Sequence, residues 1–244
     1  MKKKLVILMF AISASLLNYA QTKINKVIPV KAGQKITMHF DYPELIKIST
    51  WDKNEIAITG TVSINGGEND TAFVLENSES GNQVSIRSEI NDMKNLPKRY
   101  VVIRGGQKII FKDKSEYKKY QAENGTEFNT LSMGPEIDIE LEVKVPRNME
   151  TRVEAVYGMV EIKDFVGPLT VDATYGGVDA SLQEASTGEL IAETNFGQIY
   201  TNLNLKFTSN KDEDFHTYVS ATPGKGPRYS FESKYGNVYI RKLN

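Results

Sequence analysis

The segment AVYGMVEIKDFVGPLTVDATYGGVDASL, Ala155 to Leu182, says nearly the same thing twice. Ala-Val-Tyr-Gly-Met-Val at 155–160 returns as Ala-Thr-Tyr-Gly-Gly-Val at 173–178. Aligned on the glycine, four copies emerge: Tyr157-Gly158, Tyr175-Gly176, Phe196-Gly197 and Tyr235-Gly236. The glycines are 18, 21 and 39 residues apart. The last interval is about twice the others, so the spacing predicts a degenerate copy within NKDEDFHTYVSATPGKGP at 210–227. The second residue after each glycine is Val160, Val178, Ile199 or Val238.

Tyr157 and Val160 are three apart, and a straight strand would send them to opposite faces. Placing both inside requires a corner between them, and glycine takes the backbone angles of a corner without steric cost. Each copy therefore reads as strand, glycine corner, strand, return. Two and four positions before each aromatic the residues are small or apolar, as at Val153 and Ala155 or Val171 and Ala173. The alternate positions are mostly polar, including Glu154, Asp172 and Glu193. A unit of about 20 residues cannot bury its apolar face alone, so neighbours must stack. The expected fold is all-β: a β-solenoid, a single-stranded β-helix-like stack of glycine-corner rungs. Its aromatics Tyr157, Tyr175 and Phe196 are expected to form an inward ladder in chain order.

Upstream of the repeats, period-two alternation dominates. QKITMHF sets Ile36, Met38 and Phe40 on one face, and EIDIELEVKV sets Ile137, Ile139, Leu141, Val143 and Val145 against acids and a lysine. These are half-buried strands. DKSEYKKYQAENG breaks the rule. Asp113 is an N-cap candidate with Glu116 three residues on, and Gly125 sits at the C-terminal end. The pattern predicts one short helix over 114–123, with loops at RGGQ and NGTEFNTLSMGP on either side. The expected organisation is a signal peptide at 1–20, an N-terminal β region at 21–146 containing the helix, and the repeat region at 147–244, continuous with it.

Met1-Lys2-Lys3-Lys4 followed by an apolar run from Leu5 to Leu17 and a small residue at Ala20 reads as a secretory signal. The run is shorter than the roughly 20 residues of a spanning helix. Segment 1–20 carries three lysines and no acid, so its removal takes the formal net charge from −1 to −4. That balance offers no basic field to nucleic acid. The chain has no cysteine, which excludes thiol catalysis, cysteine-type zinc sites and a lipid on cysteine. An exported protein without disulfides is held by burial and backbone pairing. The expected location is the periplasm, the outer cell surface or the medium.

Candidate sites are few. His39 and His216 lack a second histidine or cysteine at ligand spacing, so no metal is assigned, and NKDEDF lacks the spaced pattern of a calcium loop. Asp172, Glu154 and Glu193 could line neighbouring rungs as a polysaccharide-cleaving enzyme requires. The soluble side of an amphipathic sheet explains them as well. No nucleophile elbow, phosphate loop or dinucleotide fingerprint occurs. The exposed aromatic candidates for a binding surface are Trp51, Tyr200 and Tyr239. Tyr200 and Tyr239 both stand three after the corner glycine, where the other copies have Glu161 and Asp179, and residues at that place are expected to form an outward column.

The Tyr-Gly-x-Val repeats, the VKAGQKITMHF opening and the signal-like start together resemble the bacterial "putative adhesin" domain family of unknown function, secreted β-solenoids of the DUF type. The resemblance covers about residues 25–243. It implies adhesion and supplies no catalytic residue. The inserted helix at 114–123 departs from an uninterrupted solenoid. The sequence reading is thus a non-enzymatic envelope or secreted module without a cofactor. It presents a repetitive face to a glycan or protein, with edge-to-edge association at its terminal rung. Its alternatives are a periplasmic structural or signalling accessory binding a partner protein, and a polysaccharide-acting enzyme.

Overall fold

The computed structural model describes residues 21–125 and 130–243. The predicted signal segment 1–20 lies outside the described residues, as do positions 126–129 of the loop predicted after the helix.

The chain opens with β1 (Thr22–Pro29), β2 (Lys35–Phe40), β3 (Leu45–Trp51) and β4 (Glu55–Ile64). β5 (Phe73–Ser80) and β6 (Gln83–Ile90) follow as an antiparallel pair. A small lobe holds β7 (Arg99–Arg104), β8 (Gln107–Phe111), α1 (Lys114–Asn124) and β9 (Thr130–Gly134), and β10 (Ile137–Pro146) returns to the main body. The repeat region supplies β11 (Thr151–Ala155), β12 (Met159–Ile162), β13 (Leu169–Ala173), β14 (Val178–Leu182), β15 (Leu190–Thr194) and β16 (Ile199–Thr201). It ends with β17 (Phe207–Glu213), β18 (His216–Ala221), β19 (Tyr229–Ser233) and β20 (Val238–Lys242). The protein is mostly β, laid out as open mixed sheets. One has eight strands in the order β1-β4-β10-β3-β12-β14-β20-β16. Another has nine, β17-β18-β15-β19-β13-β11-β2-β6-β5, and a third has three, β8-β7-β9.

Each glycine repeat splits between the two large sheets. Its upstream strand joins the nine-stranded sheet and its downstream strand the eight-stranded one. The copies pair in parallel and in register. Val153, Val171, Phe231 and Ala192 align across four strands, and Val160, Val178, Val238 and Ile199 align across the facing four. Apart from Ile199, which is half-buried, these residues are fully buried. Burying a side chain of this size stabilises by roughly 1.5–3 kcal/mol. One contiguous core runs from Ile28 to Ile240 and joins the N-terminal strands to the repeats.

Two expectations fail here. The spatial order of the repeats is not the chain order: the last copy, β19 and β20, lies between the second (β13, β14) and the third (β15, β16). No degenerate copy occupies 210–227. That stretch forms most of the antiparallel β17–β18 hairpin and the loop after it, with Asp214 at the turn in a left-handed conformation (φ 47°). The mixture of hydroxyl, aromatic and aliphatic residues in His216–Ala221 suits a hairpin strand as well as a rung strand, and only the absent Tyr-Gly corner separates the two.

The corner glycines are needed mainly for space. Gly158 has a positive φ of 82°, whereas Gly176, Gly197 and Gly236 do not. A Cβ on Gly176 would overlap the backbone carbonyl of Gly158, one on Gly236 that of Gly176, and one on Gly197 that of Gly236. The corners pile directly on one another, and hydroxyls complete the pile. Ser233 Oγ donates to Gly176 O (2.7 Å) and accepts from Gly236 N (2.9 Å). Thr194 Oγ1 does the same between Gly236 O (2.9 Å) and Gly197 N (3.0 Å).

The predicted helix is present at Lys114–Asn124. Asp113 accepts from the backbone N–H groups of Ser115 (2.7 Å) and Glu116 (3.0 Å), and Glu116 reaches back to the N–H of Lys112 (2.8 Å). Tyr117 packs on Tyr100 and Phe111 in a small separate core. The RGGQ stretch is the β7–β8 turn, and Thr130–Gly134, predicted as loop, is the strand β9. Among the described residues no helix is long and apolar enough to cross a membrane.

Candidate functional site

Strands in a sheet lie about 4.7–4.9 Å apart, so equivalent aromatics on successive corners must stack. Tyr42, Tyr157, Tyr175, Tyr235, Phe196 and Phe215 form one row, with ring centroids 5.8, 5.3, 5.1, 5.2 and 5.5 Å apart. The first four steps are within 7–16° of parallel. The predicted ladder exists, but it faces outward: Tyr157 is 45% exposed, Tyr175 57%, Tyr235 45%, Phe196 56% and Phe215 71%. The inward expectation followed strand parity back from Ala155 and Val153. Parity stops at the corner, where the backbone turns, and the ring leaves on the outer side. The glycine lets neighbouring corners approach until the rings touch.

Sequence reasoning missed both ends of the row. Tyr42 belongs to an extra strand pair, β2 and β3, that lies in parallel register with β11 and β12. Pro43 stands where the repeats have glycine, and Ile46 pairs with Val160 from one position farther on, so the Tyr-Gly-x-Val signal is absent. Burial, with Asp41 beside it, pushes the Tyr42 hydroxyl above the usual phenol range. Phe215 comes from the turn of the β17–β18 hairpin and shows no repeat signal.

The column three after each glycine also forms. Glu161, Asp179, Tyr239 and Tyr200 align across β12, β14, β20 and β16. Tyr239 and Tyr200 are stacked 5.1 Å apart and 11° from parallel, and Tyr200 is 46% exposed. Arg241 lies 5.2 Å from the Tyr239 ring and pairs with Asp179 at 2.7 Å. Trp51 is not brought to them. It ends β3, three strands from β20, with Nε1 donating to Glu55 O (2.7 Å) and Lys53 4.6 Å from its ring centroid.

On the outer face of the nine-stranded sheet, His39, Glu154, Asp172, Glu232 and Glu193 fall in one row by register. His39 bridges Glu154 (3.0 Å) and Asp41 (2.8 Å). Arg152 pairs with Glu154 (3.1 Å) and Asp172 (2.5 Å), and His216 with Glu193 (2.7 Å). The hydrogen bond from His39 holds the Glu154 carboxyl below its ordinary range. Burial pushes Asp172 up, and burial with Glu193 and Asp172 nearby pushes Glu232 up. The three carboxylates singled out in sequence do share a face, with Glu232 inserted between Asp172 and Glu193. Each of the three already has a side-chain partner on this face: His39 and Arg152 for Glu154, Arg152 for Asp172 and His216 for Glu193. A groove of about 450 Å³ crosses the start of these strands, and its cations Lys35, Arg152 and Arg228 are likewise paired with Glu150, with Glu154 and Asp172, and with Glu189.

No family model matches the chain, and no curated protein matches it. Two solved structures align over most of it. A "putative cell adhesion protein" from Clostridium sporogenes aligns with 92% of this chain and all of its own, at 9% identity and a TM-score of 0.45. A "putative adhesin" from Bacteroides fragilis aligns with 92% of this chain and 99% of its own, at 13% identity and a TM-score of 0.26.

Proposed function

We propose that the chain is a non-enzymatic, adhesin-like binding module of the cell envelope, a short β-solenoid with flanking antiparallel strands, and that its exposed aromatic columns make the contact with ligand. The observation that carries this reading is the six-ring row from Tyr42 to Phe215. Five of its rings are 45–71% exposed. A folded chain rarely leaves so much contiguous aromatic surface in water without a partner for it. Each stacked pair is worth roughly 0.5–1.5 kcal/mol beyond its buried area. Stacking therefore gives the row some structural value, but inward-facing rings would bury more area. The partnered carboxylates on the outer face of the nine-stranded sheet favour a binding role over a polysaccharide-cleaving one.

The test is retention of the purified chain on whole cells and on insoluble polysaccharides. A variant carrying Tyr175→Ser, Tyr235→Ser, Phe196→Ser and Tyr200→Ser should keep its far-ultraviolet dichroism and lose retention. Retention unchanged by all four would overturn the reading. Protease shaving of intact cells separates an outer-surface module from one that works in the periplasm.

A second reading has its own observation. β16 pairs only with β20, and in the eight-stranded sheet no described strand covers its other edge. An accessory protein adding a strand there would use backbone pairing. A Thr201→Pro variant would abolish that mode without touching the rings.

A further inference from the structure

Within the aromatic row, a ring between two neighbours has both faces occupied. Tyr157, Tyr175 and Tyr235 present only edges and hydroxyls to solvent. The apolar face of a sugar, with its row of C–H groups, needs an open ring face, which carries the negative side of the ring quadrupole. Such faces occur where the columns stop. At the end of the molecule formed by the third repeat both columns stop together: the corner row at Phe215, and the post-glycine column at Tyr200 on the edge strand β16.

The nine-stranded sheet runs two strands farther at this end, as the β17–β18 hairpin, and leaves a step above β16. The step holds a cleft of about 350 Å³ lined by Phe196, Gln198, Tyr200, Asp212, Asp214 and Phe215. That is within the size range of small-ligand sites. Its polar groups are oriented. The Tyr200 hydroxyl donates to Gln198 Oε1, which leaves the amide NH2 to donate. Thr217 donates to Asp212 Oδ1 (3.1 Å). Asp214, at the left-handed turn position, has no hydrogen bond among the described residues. Carboxylates accept charge-assisted hydrogen bonds from neighbouring hydroxyls, and an amide can donate beside them.

Open aromatic faces with convergent acceptors and one amide donor suit an uncharged polyol ring. The two aspartates oppose a uronate or a sulfated sugar. Resting on the binding role proposed above, we infer that this end cleft is the glycan site, and that it takes the terminal one or two units of a neutral hexose oligosaccharide. The interior of the aromatic row is not the site.

The experiment is a nuclear magnetic resonance titration of the chain with soluble neutral oligosaccharides: gluco-, manno- and galacto-oligomers, with oligogalacturonate and oligolysine as charged probes. At least one neutral series should bind. Phe215→Ser and Tyr200→Ser should each weaken it about tenfold or more, equivalent to about 1.4 kcal/mol. Tyr175→Ser, in the row interior, should change it by less than about twofold. Both end rings are exposed, so their serine variants keep the fold, and unchanged amide spectra verify it. Loss in Tyr175→Ser with no effect at the ends would overturn the inference and leave the binding module intact. So would retention on polymer or cells with no soluble oligosaccharide bound. Saturable binding of oligolysine alone would assign the cleft to a cationic peptide and overturn the inference. Absence of binding to any probe, polymer or cell would overturn the binding role itself.

Discussion

The corner of Gly176 rests directly on the carbonyl of Gly158, leaving no room for a side chain between them. The obstruction is backbone, so no rotamer change relieves it. Gly176→Ala must push adjacent repeats apart and break their in-register pairing, and it is expected to cost about 4 kcal/mol or more, at the severe end of single substitutions. Gly134→Ala is the control. Nothing lies within 4 Å of a Cβ there, and its effect should stay within about 0.5 kcal/mol. Chemical denaturation of the two variants checks the pair.

The helix of the small lobe depends on its cap. Asp113 takes two backbone N–H groups that would otherwise have no partner inside the helix. Asp113→Ala should cost roughly 1 kcal/mol. The loss should be confined to the lobe and be visible as faster amide exchange over Ser115 to Tyr117, with exchange in the large sheets unchanged.

Glu154 has a depressed folded pKa, so its contribution is present above the ordinary glutamate value, about 4.3, and is lost as pH falls through the folded value. The wild-type advantage over Glu154→Gln should therefore be constant near neutrality and vanish in acid. The pair is partly solvated, with Glu154 41% exposed, so the advantage should be under about 1 kcal/mol. Thermal melts of both chains across pH measure it.

Glu232 has the opposite sign. Its folded pKa is raised, so ionisation costs stability as pH rises through the folded value. Glu232→Gln should melt above wild type at neutral pH, and the difference should close below the ordinary carboxylate range. For a chain of this length 1 kcal/mol moves Tm by about 2–4 °C, and the rise should not exceed that.

Replacing Tyr200 and Tyr239 together with serine removes one stacked pair from an outer sheet face and no fully buried residue. The fold should persist with a loss of roughly 0.5–1.5 kcal/mol. Cooperative unfolding lost altogether would instead show that these rings serve the core.

The strands and the corners were legible because they obey local rules. Period-two alternation marked Ile36, Met38 and Phe40 as inward, and the recurring Tyr-Gly-x-Val marked where the chain changes sheet. The capping residues of α1 were equally plain. What could not be read is set by contacts distant in sequence. Nothing in Tyr229–Lys242 says that it enters between two earlier repeats, because parallel rungs with valine, isoleucine and small residues inside are nearly interchangeable. The extra strand pair at Tyr42 was hidden by Pro43 in the glycine position. The candidate end cleft was hidden more deeply. Its walls come from Tyr200 on one repeat and from a hairpin turn, and only the unequal extent of two sheets brings Phe215 beside them.

The slot taken by β19 and β20 has a consequence for how the molecule is completed. Among the described residues β16 pairs with nothing but β20, and β15 reaches the earlier strands of its sheet only through β19. Until Tyr229–Lys242 arrives, the third repeat and its hairpin have no sheet contact with the other described strands. A ribosome delivers that segment after both of the parts it joins, at about 5–20 residues per second, so the growing chain waits as a pair of unfinished pieces. This segment is a keystone: its arrival joins the two parts of both large sheets at once and ties the end that carries the cleft to the body, so a copy lacking it cannot display that end in its finished form.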